Sequence, residues 1–204
     1  MNAAGSKSAR RELDRVGAFS DGVFAVAITL LVLNIEVPVK SDPGVSDEQF
    51  LEDTLPDLLN LLQGYFIAFA VIGLFWYGHH VAWSRFERSS GKLVATNMLL
   101  LSLIGLMPFT TSLLGDFEAP LGVAAYALNV GLAALVDSMM DRIAINDRLI
   151  DLDDPERERR MMLAGWLRPA VFFVSIPIAW ISIPLAQFLW LGLFAVRPLA
   201  RRLA

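Results

Sequence analysis

Apolar residues gather into long blocks separated by short charged stretches, and these blocks set the expected elements. A helix that crosses a membrane needs about 20 mostly apolar residues. The first block covers 18–39, the second 58–83, the third 93–114 and the fourth 120–140. Thr54-Leu-Pro-Asp57 reads as a capping box opening the second helix, and Pro120 suits the first turn of the fourth. Mostly apolar residues then run from Met161 to Leu199, too many for one crossing. A break near Ser182-Ile-Pro184 divides them into a fifth span at 161–181 and a sixth at 184–202. The expected fold is therefore all-α: a polytopic membrane protein with six transmembrane helices in one domain over 1–204. Outside the blocks, Asp141–Arg160 mixes both charge signs at helical spacing, with Asp154-Pro155 as a helix start. Residues 1–9 read as a disordered tail.

Composition agrees with this class. Hydrophobic residues make up 55% of the chain and charged residues 19%, where a soluble domain carries about 25%. That much apolar surface excludes disorder. With no Cys, disulfides, thiol nucleophiles and thiolate metal sites are excluded. The net charge of −4 conceals a strong segregation. With six spans, sixteen of the seventeen basic residues fall on the side of the termini, and only Lys40 lies opposite. The positive-inside rule then places both termini in the cytoplasm, for a multi-pass protein of the cell membrane. Five spans would put Arg197, Arg201 and Arg202 outside, which favours six. The outer side carries nine acids, Glu36, Asp42, Asp47, Glu48, Glu52, Asp53, Asp57, Asp116 and Glu118, and such a field concentrates cations. No basic patch stands apart from the membrane flanks, so no nucleic-acid partner is expected. The first block reads as a retained helix and not a cleaved signal, because Phe19-Ser-Asp-Gly interrupts the place of an apolar signal core.

Two faces of the first span invite chemistry. Val26, Thr29, Leu30 and Leu33 share one face at i, i+3, i+4 and i+7. Asp21 points roughly 140° from Val26 and Ser20 roughly 120° from it. A carboxylate at membrane depth is costly and finds a partner. Arg15 lies six residues earlier, and His79, His80 and Asn97 fall at the same depth near the ends of the second and third spans. A network of Arg15, Asp21, His79 or His80, and Asn97 follows. It serves either as a polar clamp for the first three helices or as a proton relay. Adjacent histidines lie about 100° apart on a helix and match a shared metal poorly. Trp76, His79, His80 and Trp83 repeat the i, i+3, i+4, i+7 spacing; Trp83 reads as part of an interfacial aromatic belt, while Trp76 packs into the bundle. No paired-carboxylate motif or Gly-rich phosphate loop is present, so neither an enzyme nor a cofactor is expected.

The string Arg15-x-x-x-Phe19-Ser20-Asp21-Gly-Val-Phe-Ala-Val-Ala-Ile-Thr-Leu-Leu-Val-Leu resembles the opening helix of the transmembrane protein 175 family of potassium channels. Trp76-Tyr-Gly-His79-His80, Gly91-Lys-Leu-Val-Ala-Thr-Asn97 and Leu-Met-Pro108-Phe109 extend the likeness to about residue 136. The resemblance implies a potassium-selective cation channel, without a carbonyl-lined filter, whose first helix lines the pore. Animal members carry two six-helix repeats and prokaryotic members one, so it implies a prokaryotic homotetramer in the lipid bilayer with potassium as the permeant ion. Matched from Phe19, Ser20 and Asp21, the family's constriction layers fall on Val26, Leu30 and Leu33, and a hydroxyl linked to potassium preference falls on Thr29. Val26 is smaller than the isoleucine common there. From Val26 to Leu33 such a neck is about 10 Å long. The competing expectation is a proton-linked or cation transporter using Asp21, His79 and His80.

Overall fold

The computed structural model describes residues 3–40, 44–116, 120–150 and 155–192. They form six α-helices: α1 (Ala3–Leu30), which tightens into a 3-10 turn over Leu31–Asn34, α2 (Asp47–Trp83), α3 (Gly91–Asp116), α4 (Pro120–Asn146), α5 (Pro155–Ala179) and α6 (Ile183–Trp190). The all-α, polytopic class stands, but the expectation of six transmembrane helices does not. Among the described residues four helices are long and apolar enough to cross a membrane: Arg10–Asn34, Asp47–Trp83, Gly91–Leu114 and Pro120–Asn146.

The error lies in the last quarter of the chain. α5 opens on Pro-Glu-Arg-Glu-Arg-Arg and carries Arg168 further on. Its apolar part is only Gly165–Ala179, about 22 Å of helix against a hydrocarbon core of about 30 Å. α6 has eight residues, about 12 Å. The far end of the expected sixth span, 193–202, lies outside the described residues, as do Asp42 and Glu118 of the outer acidic set. The 161–199 block was apolar on average, and that average concealed a charge within α5 and a break between Ala179 and Ile183.

Helix starts also moved. α1 is helical from Ala3, including positions that read as a tail. α2 begins eleven residues before its apolar block, where Ser46 caps it by accepting from the Gln49 N–H at 3.2 Å. Thr54 is no cap: inside α2 its hydroxyl donates to the Phe50 carbonyl at 2.7 Å, and Pro56 also lies within the helix. α4 runs on to Asn146, absorbing the start of the stretch read as extramembrane.

α1 runs antiparallel to α2 and parallel to α3. Leu13 and Asp21 meet Trp83 and Trp76, while Ser20 and Asn34 meet Asn97 and Pro108. α4 is the most deeply buried helix, clasped between α3 and α5. Its small residues Gly122, Ala127, Gly131, Ala133 and Ala134 let neighbouring backbones come close. A Cβ on Gly131 would stand 3.0 Å from the Phe173 ring. At one end of the bundle the 84–90 turn docks on 147–150, where the Glu87 N–H donates to the Leu149 carbonyl at 2.9 Å.

Candidate functional site

α1 divides its side chains between two environments. Leu13, Ser20, Phe24, Ala27 and Leu31 are buried against α2 and α3. Val26, Thr29, Leu30 and Leu33 face away from the chain, with Val26 56% and Leu33 72% exposed. Ile28, on the far side from Val26, packs partly buried on the core. The Thr29 hydroxyl donates back to the carbonyls of Ala25 and Val26, at 3.0 and 2.9 Å. Its proton is thereby spent within the helix, which leaves the oxygen an acceptor toward anything outside it.

Behind this face the expected polar residues separate into two groups. Ser20, Asn97 and His79 form one buried chain linking α1, α3 and α2. The Ser20 hydroxyl donates to the Val16 carbonyl at 2.9 Å and accepts from Asn97 Nδ2 at 3.0 Å. Asn97 Oδ1 lies 2.9 Å from His79 Nε2, so that nitrogen carries the proton and donates. The His79 ring stacks on Trp83, with centroids 5.1 Å apart. Trp83 in turn donates its indole N–H to the Leu13 carbonyl at 2.8 Å, closing the circuit on α1. Gly17 makes this approach possible, since a Cβ there would stand 2.9 Å from Trp83 Cδ1.

The second group is exposed. Asp21 accepts from Trp76 Nε1 at 2.9 Å, and the His80 ring stacks on Trp76 at 5.6 Å. Arg15 and Phe19 lie on exposed surface, and no described ion pair joins Arg15 to Asp21. The two tryptophans thus exchange the places expected for them. Trp83 is buried in the bundle, whereas Trp76 is 40% exposed and serves Asp21. Adjacent histidines point about 100° apart, which assigns His79 to the core and His80 to the rim.

Three polar contacts escaped the sequence reading. Asn34 Nδ2 donates to the Pro108 carbonyl at 2.7 Å, pinning the 3-10 end of α1 to α3. Asn129 Nδ2 bonds the Leu103 carbonyl and the Thr110 hydroxyl, at 3.2 and 3.3 Å. Arg168 of α5 pairs with Asp137 and, at 3.4 Å, with Asp141 of α4. The last had a signal: Asp137 inside the fourth block and Arg168 inside the fifth are opposite charges at membrane depth, which find each other.

Four long apolar helices, with polar side chains paired inside the bundle, define a multi-pass membrane protein. Residues 15–108 match the family described as endosomal/lysosomal potassium channel TMEM175. The chain is similar to a potassium channel of Streptomyces collinus, at 32% identity over 183 residues, 85% of each chain. A potassium channel of Chamaesiphon minutus is 30% identical over 178 residues, 84% of this chain and 86% of that one. The crystal structure of a lysosomal potassium-selective channel TMEM175 homolog from Chamaesiphon minutus superposes with a TM-score of 0.78 at 28% identity, covering 93% of this chain and 98% of that chain. The chain belongs to the TMEM175 potassium-channel family, as a bacterial-type member.

Proposed function

We propose that the chain is a potassium-selective channel whose pore is lined by the outward face of α1 in a homotetramer. The observation that carries this reading is the division of α1: one face is packed and pinned, and the other leaves Val26, Thr29, Leu30 and Leu33 exposed among the described residues. A single lining helix cannot enclose a pore, so several copies must place that face around one axis. Rings of Val26, Leu30 and Leu33 then form a dry neck that gates by dewetting. Methyl groups cannot replace the water a hydrated cation sheds there. Thr29, with its lone pairs outward, is the one polar group between the rings.

Membrane crossings alternate, so the N-terminal end of α1, the 84–90 turn and the end of α4 share one face. Arg10, Arg11, Arg15, Arg85, Arg88, Lys92, Arg142 and Arg148 lie there, which supports a cytoplasmic orientation of that face in a bacterial inner membrane. The opposite mouth carries Glu36, Asp47, Glu48, Glu52, Asp53 and Asp57 against Lys40 and concentrates cations. Ser20, Asn97 and His79 are the clamp that fixes the rotation of α1. Asp21 sits in the other polar group, with Trp76 and His80 and apart from His79, which supports the channel reading over a relay running through all three.

Potassium flux from liposomes loaded with purified protein tests the reading. The parent is expected to pass potassium without a second gradient, and L30N or V26N to raise the flux by wetting the neck. I28N, which strikes the packed face, is expected to lower the yield of folded protein instead. A single-chain mass in detergent, or equal conductance after substitution on either face, refutes the pore assignment.

A further inference from the structure

α2 is far longer than a membrane requires. Its 37 residues make about 55 Å of helix against a hydrocarbon core of about 30 Å. The outer end of α1 fixes where the excess lies, because Leu31, Asn34 and Ile35 share a small cleft with Asn60, Leu61, Gly64 and Tyr65. Everything from Asp47 to Leu59 therefore stands beyond the end of α1, a projection of about 20 Å. Asp47, Glu48, Glu52, Asp53 and Asp57 keep it out of lipid. Lys40 bonds Asp47 at 2.6 Å, so the segment from Ile35 to Lys40 climbs alongside it.

This projection is not polar all round. Positions 51, 55, 58, 62, 65, 69, 72, 76, 79 and 83 follow a four–three spacing along the whole of α2, the seam of a helix that packs on another helix. In its lower half most of the seam serves the bundle: Ile72, His79 and Trp83 are buried, Tyr65 packs on the core and Trp76 bonds Asp21, while Phe69 is 43% exposed. The upper half continues the same seam past the end of α1. There Leu51 and Leu55 are exposed on the seam, Leu59 is exposed just beside it, and Val37 and Val39 on the neighbouring segment are about four-fifths exposed. Lipid cannot cover apolar groups at that height, and these side chains stay exposed among the described residues.

We infer that this projection is a subunit contact: Leu51, Leu55 and Leu59, with Val37 and Val39, pack on the same projection of a second copy of the chain and form a collar outside the membrane. The inference rests on the pore reading, which already gathers copies around α1. A seam turned toward α1 looks, above the end of α1, toward the axis those copies share. The collar is thus continuous with the α1–α2 interface and needs no other protein.

The chain has no Cys, so single-cysteine variants report proximity without background. L51C and L55C, oxidised with copper phenanthroline in native membranes and again after purification, are expected to give disulfide-linked dimers of twice the 22.5 kDa chain. D53C, roughly 160° around the helix from position 51, is expected to stay uncrosslinked, and L33C on the α1 face to crosslink. Light scattering checks that each variant keeps the assembled mass of the parent. Assembled L51C and L55C that both fail to crosslink, while L33C succeeds, overturn the collar and leave the pore reading standing. A single-chain mass with no crosslink at L33C removes both. An adduct of another mass in membranes assigns the seam to a different protein and also overturns the collar.

Discussion

Replacing Arg168 by methionine should be among the most damaging single changes in this bundle. The guanidinium holds two carboxylates on α4, and the Asp137 and Asp141 side chains are only 11% and 18% exposed. R168M leaves both without that guanidinium, and Asp141 beside the Leu135, Met139 and Met162 side chains. Removing one partner of a buried ion pair costs about 3–5 kcal/mol, most of it the penalty of the charge left behind. For a chain of this size that corresponds to a fall in melting temperature on the order of 10 °C. The same physics gives the complementary result. In R168M/D137L/D141L no charge is stranded, and replacing a whole buried charge cluster by apolar residues of similar volume is often close to neutral. The triple variant should therefore recover most of the lost stability. R168K keeps the charge but loses the forked geometry, and should fall between. The assay is size-exclusion of detergent-solubilised protein after a ladder of heating steps. R168M melting with the parent, or the triple variant melting below R168M, refutes the argument that stranded charge sets the cost.

Other expectations follow from single contacts. T29V removes the one outward hydroxyl between the aliphatic rings and should lower potassium preference over sodium in bi-ionic measurements, with the assembled mass unchanged. N97L strands the His79 N–H in the core and should cost about 1–3 kcal/mol, while S20A, which leaves the His79–Asn97 bond in place, should cost less in the same thermal assay. G17A pushes a methyl into Trp83 and should break the indole bond to the Leu13 carbonyl, lowering the melting temperature by an amount in the overpacking range of about 1–3 kcal/mol.

Hydropathy made the first four crossings legible, because each combines length with a low charge count. It also put Asp21, His79, His80 and Asn97 at one depth, but did not give the rotation that sends Asn97 and His79 to Ser20 and leaves Asp21 with Trp76 and His80. What it missed depends on rotation and on partners. Trp83 resembled a belt residue because it ends an apolar run; its burial depends on the missing side chain of Gly17, far away in the chain, which leaves no mark in the hydropathy. Arg168 was assigned to a flank because basic residues cluster there, although Asp137 inside the preceding span signalled a partner at depth. The start of α2 was misplaced because its first three turns are amphipathic and acidic, a pattern that apolar-run counting cannot see.

The 3-10 turn that ends α1 alters the geometry of its outward face. Between Val26 and Leu30 the helix climbs about 6 Å at 1.5 Å per residue. Between Leu30 and Leu33 it climbs about 6 Å as well, because a 3-10 turn rises 2.0 Å per residue and eclipses side chains three apart. The three aliphatic side chains are thus evenly pitched, and Leu33 stands directly over Leu30. Rewinding that one turn to 3.6 residues would lower Leu33 by about 1.5 Å and swing it through about 60°. The buried Leu31, the Ile35 N–H bond to the Val32 carbonyl and the bond from Asn34 to the Pro108 carbonyl all hold the turn in its tight form, so the height and heading of Leu33 are set by contacts on the opposite side of the helix.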